Sequence, residues 1–186
     1  MKKLTSLILV LFMVVFFSNA QDLPFASGDK VVNLGIGLGS ALYSGAGNKS
    51  SIPPISISFE KGIKDNVLEK GVIGVGGYLG YSSYKWEFNS YGYKISNIII
   101  GARGNFHYPL LDNFDTYIGI LLGYNIISAK EFGNLPYVGY YYGAPKSHVI
   151  WSGYIGGRYY FSDKLAGLIE LGSGISYLTL GVAIML

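Results

Sequence analysis

Four charged side chains lie in segments that otherwise alternate between apolar and small residues: Glu60, Arg103, Arg158 and Glu170. In each segment the charge falls on the face that carries mainly glycine, serine, asparagine and alanine, opposite the face rich in isoleucine and leucine. Two arginines and two glutamates carry no net charge together. Because buried charges are stable only when they are paired, we expect these four residues to form a charge network inside the protein.

Few residues could support nucleophilic or metal chemistry. The chain contains two histidines, His107 and His148, and no cysteine. It lacks the HExxH, Walker A and nucleophile-elbow motifs. Ser147 precedes His148, but adjacent strand residues point to opposite faces, so the two cannot form a Ser–His pair. We expect no catalytic residue, no metal site and no cofactor, and His107 is expected to be a hydrogen-bonded interior residue or an interface anchor.

Two glycine-rich runs have some likeness to dinucleotide-binding loops, namely GIGLG (35–39) and GVGG (74–77). Their glycines follow the two-residue period of a strand, and no helical pattern comes after them, as a dinucleotide loop requires. We interpret them as strand glycines that face the interior of the protein.

The composition differs from that of an ordinary soluble domain. Half of the 186 residues are hydrophobic and only 13% are charged, with 27 Gly and 17 Tyr. Soluble domains carry about a quarter of their residues as charged side chains. After the N-terminal region no apolar run is long enough for a membrane helix. An apolar chain of this kind is typical of a transmembrane β-barrel.

The N-terminal sequence MKKLTSLILVLFMVVFFSNAQ predicts a secretory signal peptide over residues 1–20. It has a positively charged start, an apolar stretch and small residues before Gln21, where we expect cleavage. A single membrane anchor is the alternative, but the apolar stretch is short for a bilayer span. We divide the remaining chain into a short periplasmic leader, 21–30, and an outer-membrane barrel domain, 31–186.

The formal net charge is +3, and it falls to +1 once Lys2 and Lys3 are removed with the signal peptide. A nearly neutral chain gives no indication of nucleic-acid binding. Since an exported chain without cysteine has no disulfide, its fold must be stable through packing and hydrogen bonding alone.

Period-2 alternation between turn signals predicts eight strands, and hence an all-β, eight-stranded antiparallel up-and-down transmembrane β-barrel. The predicted strands are 31–40, 54–62, 71–83, 94–108, 114–128, 147–162, 164–173 and 176–186. Most have roughly the 9–11 residues that a tilted strand needs to cross a bilayer.

Arg103 shows which face meets lipid. In SNIIIGARGNFHY (96–108) it shares a face with Asn and Gly, while Ile98 and Ile100 lie on the other. An arginine on the lipid side would cost about 2–4 kcal/mol at mid-bilayer. We therefore expect Arg103 to point into a narrow lumen and to pair with Glu170 or Glu60. Three asparagines are expected to complete the hydrogen bonding: Asn97, Asn105 and Asn125.

The connections fit a barrel whose ends lie in the periplasm. The predicted inner connections are 63–70, 109–113 and 162–164. The predicted outer connections are 41–53, 84–93, 129–146 and 172–176. The longest is on the outer side, as in outer-membrane barrels, and aromatic residues near the strand ends are expected to form interfacial girdles.

Several segments give the chain a resemblance to small eight-stranded outer-membrane β-barrels of the OmpA/OmpX/OmpW-like type found in Bacteroidetes. They are IGVGGYLGYSSY (73–84), IIIGARGNFHY (98–108), DTYIGILLGYNIIS (115–128), GYIGGRYYFSDK (153–164) and ELGSGISYLTLG (170–181). The resemblance implies an outer-membrane location, contact with outer-membrane lipid and lipopolysaccharide, and recognition of the C-terminal strand by the assembly machinery. Such barrels usually end in an aromatic residue, whereas this chain ends in Leu186.

The expected function is a non-enzymatic surface barrel with a lumen filled by side chains. It would support the membrane or contact a surface ligand through the tyrosine-rich loop 129–146. A narrow OmpW-like channel for small, including apolar, molecules is the alternative, and a lipid A-modifying enzyme acting through His148 is a remote one.

Overall fold

The computed structural model describes residues 24–39, 49–88, 91–111, 113–133 and 146–186. In these residues eight antiparallel strands pair in chain order, and the last closes against the first. The strands are β1 (Lys30–Leu38), β2 (Lys49–Val67), β3 (Gly71–Phe88), β4 (Tyr91–Leu111), β5 (Phe114–Phe132), β6 (His148–Ser162), β7 (Leu165–Gly172) and β8 (Leu178–Met185). This closed up-and-down barrel confirms the predicted fold class.

Two predicted segments lie wholly or mostly outside the described residues: the signal peptide, 1–20, and the loop 129–146. Among the described residues, no helix has the length and apolar character needed to span a membrane.

The two faces of the wall differ sharply in exposure. Along β5 the exposed fractions of Ile118, Ile120 and Leu122 are 58%, 62% and 61%, while Tyr117 and Leu121 are only 4% and 3% exposed. Successive strand residues point to opposite faces of the sheet, so one face is the outer surface of the barrel and the other fills its interior. The apolar residues that soluble proteins bury therefore lie on the outside.

The central strands are longer than the sequence pattern predicted. Residues 84–93 were expected to form an outer loop, but β3 and β4 pair without interruption up to Phe88 and Tyr91. The rings of Trp86 and Tyr93 stack across this extension, with centroids 5.4 Å apart. Cross-strand aromatic pairs stabilise this part of the hairpin, although its residues no longer alternate in hydrophobicity. The strand ends predicted from alternation therefore fall short of the observed ends.

The first inner connection is also shorter than predicted. The sequence indicated 63–70, whereas β2 continues to Val67 and only 68–70 connect it to β3. Asn66, Leu68 and Glu69 have positive φ angles of 57°, 52° and 75°. These left-handed residues, with the register shifts at the inner end of the β2–β3 ladder, reverse the chain in a tight turn.

Small residues inside the barrel make room for large ones on the neighbouring strand. Tyr117 of β5 lies opposite Gly156 of β6, and Gly119 lies opposite Tyr154. A Cβ atom at Gly156 would lie 2.5 Å from the Tyr117 ring, and one at Gly119 would collide with the Tyr154 ring. Each glycine thus accepts the tyrosine that faces it, which lets both rings fit within an eight-stranded barrel.

We predict that Gly156→Ala will lower the free energy of unfolding by about 1–3 kcal/mol, because the added methyl group displaces the Tyr117 ring. Gly153→Ala is the matched control on the same strand, since a Cβ there meets no atom within 4 Å. The control should be neutral or stabilising by up to about 1 kcal/mol. The fraction of protein that keeps its folded mobility on unboiled gels across a urea series measures both values. Equal losses in the two variants would contradict this account of the interior.

Candidate functional site

Arg158 lies at the centre of the inner half of the lumen and is fully buried. Its Nη1 donates to Asp115 Oδ2 at 3.0 Å, and its Nη2 donates to Glu60 Oε2. Its Nε donates to Asn33 Oδ1 at 3.1 Å. The guanidinium therefore has two carboxylates and one amide as partners, the combination that a buried arginine needs to be stable.

His107 lies between the same two carboxylates. Its Nε2 is 2.6 Å from Glu60 Oε1, and its Nδ1 is 2.7 Å from Asp115 Oδ1. A neutral imidazole has only one N–H, whereas the imidazolium donates from both nitrogens. With two carboxylate acceptors, the geometry favours a protonated His107. Among the described residues, the lumen then brings the acidic side chains Glu60, Asp115 and Glu170 together with Arg103, His107 and Arg158.

Arg103 forms a second ion pair nearer the middle of the barrel. Its Nη2 donates to Glu170 Oε1 at 2.5 Å, and its Nε donates to the Tyr154 hydroxyl at 2.6 Å. Its Nη1 donates to Ser58 Oγ at 3.1 Å. Glu170 Oε1 also accepts a hydrogen bond from the Tyr117 hydroxyl at 2.6 Å. The guanidinium lies over the Tyr154 ring, 4.1 Å from its centroid, which adds a cation–π contact.

Asn105 joins the two ion pairs into one network. Its Nδ2 donates to Glu60 Oε1 at 2.7 Å, and its Oδ1 accepts a hydrogen bond from the Tyr154 hydroxyl. Tyr154 in turn accepts a hydrogen bond from Arg103. A continuous chain of hydrogen bonds thus runs from Arg103 to Arg158, across strands that are distant in sequence.

The residues preceding β1 close the inner mouth of the barrel. Phe25 is 2% exposed, and its ring lies 4.3 Å from the His107 ring, centroid to centroid. The backbone holds it there, because Ser27 N donates to Asp65 Oδ1 at 2.6 Å and Gly28 N donates to Gly62 O at 3.0 Å. Part of the expected leader, 24–29, is therefore folded against β2 and inserts an aromatic ring beneath the charges.

Ile175 lies in the short connection between β7 and β8 and covers the charge network on the side opposite Phe25. It is 2% exposed and forms a buried cluster with Ile99 and Leu121. A cavity of about 30 Å³ remains beside Arg103 and Glu170, lined also by Ile175. A pocket of this volume has room for only a few water molecules, so side chains occupy most of the space around this ion pair.

All four predicted network residues lie in the interior, and the structure shows which arginine pairs with which glutamate. Arg103 pairs with Glu170, and Arg158 pairs with Glu60. Asp115 is a further interior charge that was missing from the predicted network, although it shares the strand parity of the buried Tyr117, and this parity could have identified it.

The expectation for the asparagines was only partly correct. Asn105 takes part in the network, as described above. Asn125 instead donates to Asn97 Oδ1 at 3.1 Å, in a separate polar layer farther from the charges. The two ladders place Asn97 and Asn125 six and four residues beyond the Arg103 level, too far for direct contact with the guanidinium.

Ser147 and His148 engage separate backbone groups. Ser147 Oγ accepts a hydrogen bond from Ile127 N at 2.9 Å, and His148 Nδ1 lies 2.9 Å from Lys146 O. Neither contact is that of a nucleophile with its base. In the part of the chain that the structure describes, no group of three or more His, Asp or Glu side chains is arranged to hold a metal ion.

Comparison with known proteins finds similar solved structures but no matching family model and no matching curated protein. A designed transmembrane β-barrel is 12% identical, with a TM-score of 0.49, covering 86% of this chain and 97% of its own. Ail of Yersinia pestis, in complex with the heparin analogue sucrose octasulfate, is 8% identical, with a TM-score of 0.48 and coverages of 86% and 95%. OprG of Pseudomonas aeruginosa is 9% identical, with a TM-score of 0.44 and coverages of 89% and 99%.

We predict that Arg103→Met will destabilise the barrel by about 3–5 kcal/mol, because it leaves the Glu170 carboxylate without its cation in a confined interior. Combining it with Glu170→Gln should recover most of this loss, since the amide removes the unpaired charge. Urea midpoints of the two variants, followed by unboiled gel mobility, measure the difference. If the double variant is less stable than Arg103→Met alone, the ion pair does not have the assigned role.

Proposed function

We propose that this chain is an integral outer-membrane β-barrel with a closed lumen, and that its role is structural or one of surface contact, without catalysis. The observation that carries the proposal is the combination of an apolar outer wall with an interior closed by paired charges.

The outer wall presents a continuous apolar band. Every strand contributes an aliphatic side chain that is more than two-fifths exposed: Ile36, Ile57, Leu79, Ile100, Ile120, Ile155, Ile169 and Leu180. Exposed apolar area on this scale is unfavourable in water, whereas lipid chains cover it at no cost. The exposed aromatic residues Tyr108, Tyr159 and Phe161 lie towards one end of the band, where aromatic side chains favour the lipid–water interface.

The connections indicate the orientation. The short connections at 68–70, 112–113 and 163–164 share one end of the barrel with the start of β1 and the end of β8. Outer-membrane barrels place short turns in the periplasm and longer loops outside the cell. We therefore assign this end to the periplasm and call it the inner end. The opposite end, with the connections 39–48, 89–90, 133–147 and 173–177, includes the two longest connections and is the outer end.

The closed lumen favours a structural role over transport. An eight-stranded barrel has an interior just wide enough to be filled by side chains. Here Phe25 and Ile175 cover the charge network from both sides, so a pathway for ions would require all three layers to move. The channel alternative therefore demands a rearrangement of packed, fully paired groups, which is energetically costly.

The outer loops are the natural place for surface contacts. The sequence KEFGNLPYVGYYYGAPK (130–146) supplies tyrosines and glycines, residues that combine large contact area with adaptable backbone. Lipid and lipopolysaccharide of the outer membrane are the surroundings we propose for the wall. We also propose that the assembly machinery recognises the C-terminal strand, β8, although it is followed by Leu186.

The orientation predicts a labelling pattern in whole cells. The chain has no cysteine, so a single introduced cysteine is the only reactive thiol. Lys146→Cys at the outer end should react with a membrane-impermeant maleimide in intact cells. Asp163→Cys, in an inner turn, should react only after the outer membrane is permeabilised. The opposite pattern would reverse the orientation, and equal labelling of both without permeabilisation would show that the chain is not inserted as proposed.

The closed lumen predicts electrical silence in planar bilayers. Neither the wild type nor the variant Arg103→Gln/Glu170→Gln should give stable conductance steps, because Phe25 and Ile175 still close both sides of the neutralised layer. Steps from the wild-type protein would contradict the closed lumen and favour the channel alternative. Steps from the double variant alone would show that the ion pair gates a pathway.

A further inference from the structure

Three lysines lie directly opposite one another across three neighbouring strands near the outer end of the barrel. Lys85 of β3 pairs in register with Lys94 of β4, and Lys94 pairs in register with Lys130 of β5. The backbone ladder also places Lys49 of β2 opposite Lys85. Directly opposed residues have Cβ atoms about 4.5–5.5 Å apart, and like charges at this spacing destabilise a sheet. We call Lys85, Lys94 and Lys130 the lysine row.

The lysine row is only partly neutralised by the protein. Lys85 Nζ forms an ion pair with Glu87 Oε2 at 2.7 Å, in which both side chains are more than two-fifths exposed. Within the described ranges, Lys94 and Lys130 have no carboxylate within ion-pair distance. Glu87 and Glu131, the residue after Lys130, supply two carboxylates near the three lysines, so an excess of positive charge remains on this side of the outer rim, and an anion from outside the chain would relieve its repulsion.

The residues below the lysine row show where this anion would lie. A row of serines lies two residues closer to the middle of each strand: Ser83, Ser96 and Ser128. Another two residues further in, the same ladders pair Tyr81, Ile98 and Ile126. These residues share the strand parity of the lysines, so all three rows belong to the outward face of the wall. Ser83 is itself fully buried, and Ser96 Oγ donates to it at 3.4 Å, so Tyr81, Ser96 and Ser128 are the residues that present hydroxyl groups on this face.

The length of the apolar stretch sets the depth of the lysines. On β4 the outward-facing apolar and small residues run from Tyr108 to Ile98, followed by Ser96 and Lys94. A tilted strand crosses the hydrocarbon layer in about 9–11 residues. The serines therefore lie at the lipid–water boundary, and the lysines lie at the level of lipid headgroups in the outer leaflet.

We propose that the lysine row binds the phosphate groups of a phosphorylated lipid in the outer leaflet, with its acyl chains lying along the apolar wall below. Along the outward face, the order aliphatic, hydroxyl, ammonium matches the order acyl chain, polar linkage, phosphate in such a lipid. A free anion would use only the lysines and would leave this layering without a role. The inference rests on the proposed membrane location, and it adds a specific ligand class and the residues that bind it.

The test compares lipid binding by two charge-matched variants in a non-ionic maltoside detergent. The first is Lys85→Gln/Lys94→Gln/Lys130→Gln, and the control, Lys61→Gln/Lys64→Gln/Lys164→Gln, removes three exposed lysines from the inner end. The probes are lipid A that carries phosphate, the same lipid A after enzymatic removal of phosphate, and inorganic phosphate as a competitor. Native mass spectrometry measures the bound fraction, and unboiled gel mobility shows that each variant is folded.

We expect the lysine-row variant to bind phosphorylated lipid A roughly 100-fold more weakly than wild type, from a contribution of about five-fold for each lysine at a membrane surface. The control should bind like wild type, and inorganic phosphate should not displace the lipid. Equal binding by all three proteins, equal binding of dephosphorylated lipid A, or displacement by inorganic phosphate would overturn the proposal. The folded barrel seen on the gel would leave the membrane assignment intact in each of these cases.

A single substitution provides a second readout that does not depend on the triple variant. Lys94→Gln removes the central charge of the row, which faces both other lysines. In detergent alone, the substitution should leave the urea midpoint unchanged or raise it, because it relieves repulsion. With phosphorylated lipid A present, it should lower the midpoint relative to wild type, because one phosphate contact is lost. A shift in the same direction under both conditions would contradict the proposal.

Discussion

Eight strands close around a space that their own side chains fill, and this narrowness governs every other feature of the structure. It requires a glycine opposite the interior rings where space is tightest, as with Gly156 opposite Tyr117 and Gly119 opposite Tyr154. It also removes water from the charged groups, so that each must find its partners within the protein. Arg158 meets this demand with Glu60, Asp115 and Asn33, and is fully buried as a result. Because the partners come from different strands, the network also ties opposite sides of the wall together.

The outer face of the barrel must be apolar where the interior is polar. Its middle is aliphatic, because that part of the wall contacts hydrocarbon, and polarity returns only towards the strand ends. The transition on the outer side of β3, β4 and β5 is ordered by register, with serines and then lysines at matching levels on all three strands. A row of like charges would be unfavourable on an isolated sheet, which is why an anionic headgroup is the partner that we propose.

Much of the architecture was predictable, because strand periodicity is a local property. The alternation in YLTLGVAIML or in residues 115–126 assigned each side chain to a face without knowledge of its neighbours, and the exposed fractions agree with those assignments. The strand ends were less accurate. β3 and β4 continue through Trp86 and Tyr93, whose pairing depends on contact between strands and so leaves no alternating pattern in either strand alone. Asp115 was placed on the correct face but was not counted among the interior charges, since it lies at the start of its strand.

The sequence by itself determined the class of fold, the inward direction of Arg103 and the position of Glu60, Arg158 and Glu170 on the same face, because parity along a strand depends only on residue order. Only the tertiary structure decided which arginine pairs with which glutamate, that His107 lies between two carboxylates, and that Phe25 closes the inner mouth. These contacts join residues up to 98 positions apart, as in the pair of Glu60 and Arg158. They depend on the relative register and closure of all eight strands, which no local pattern encodes.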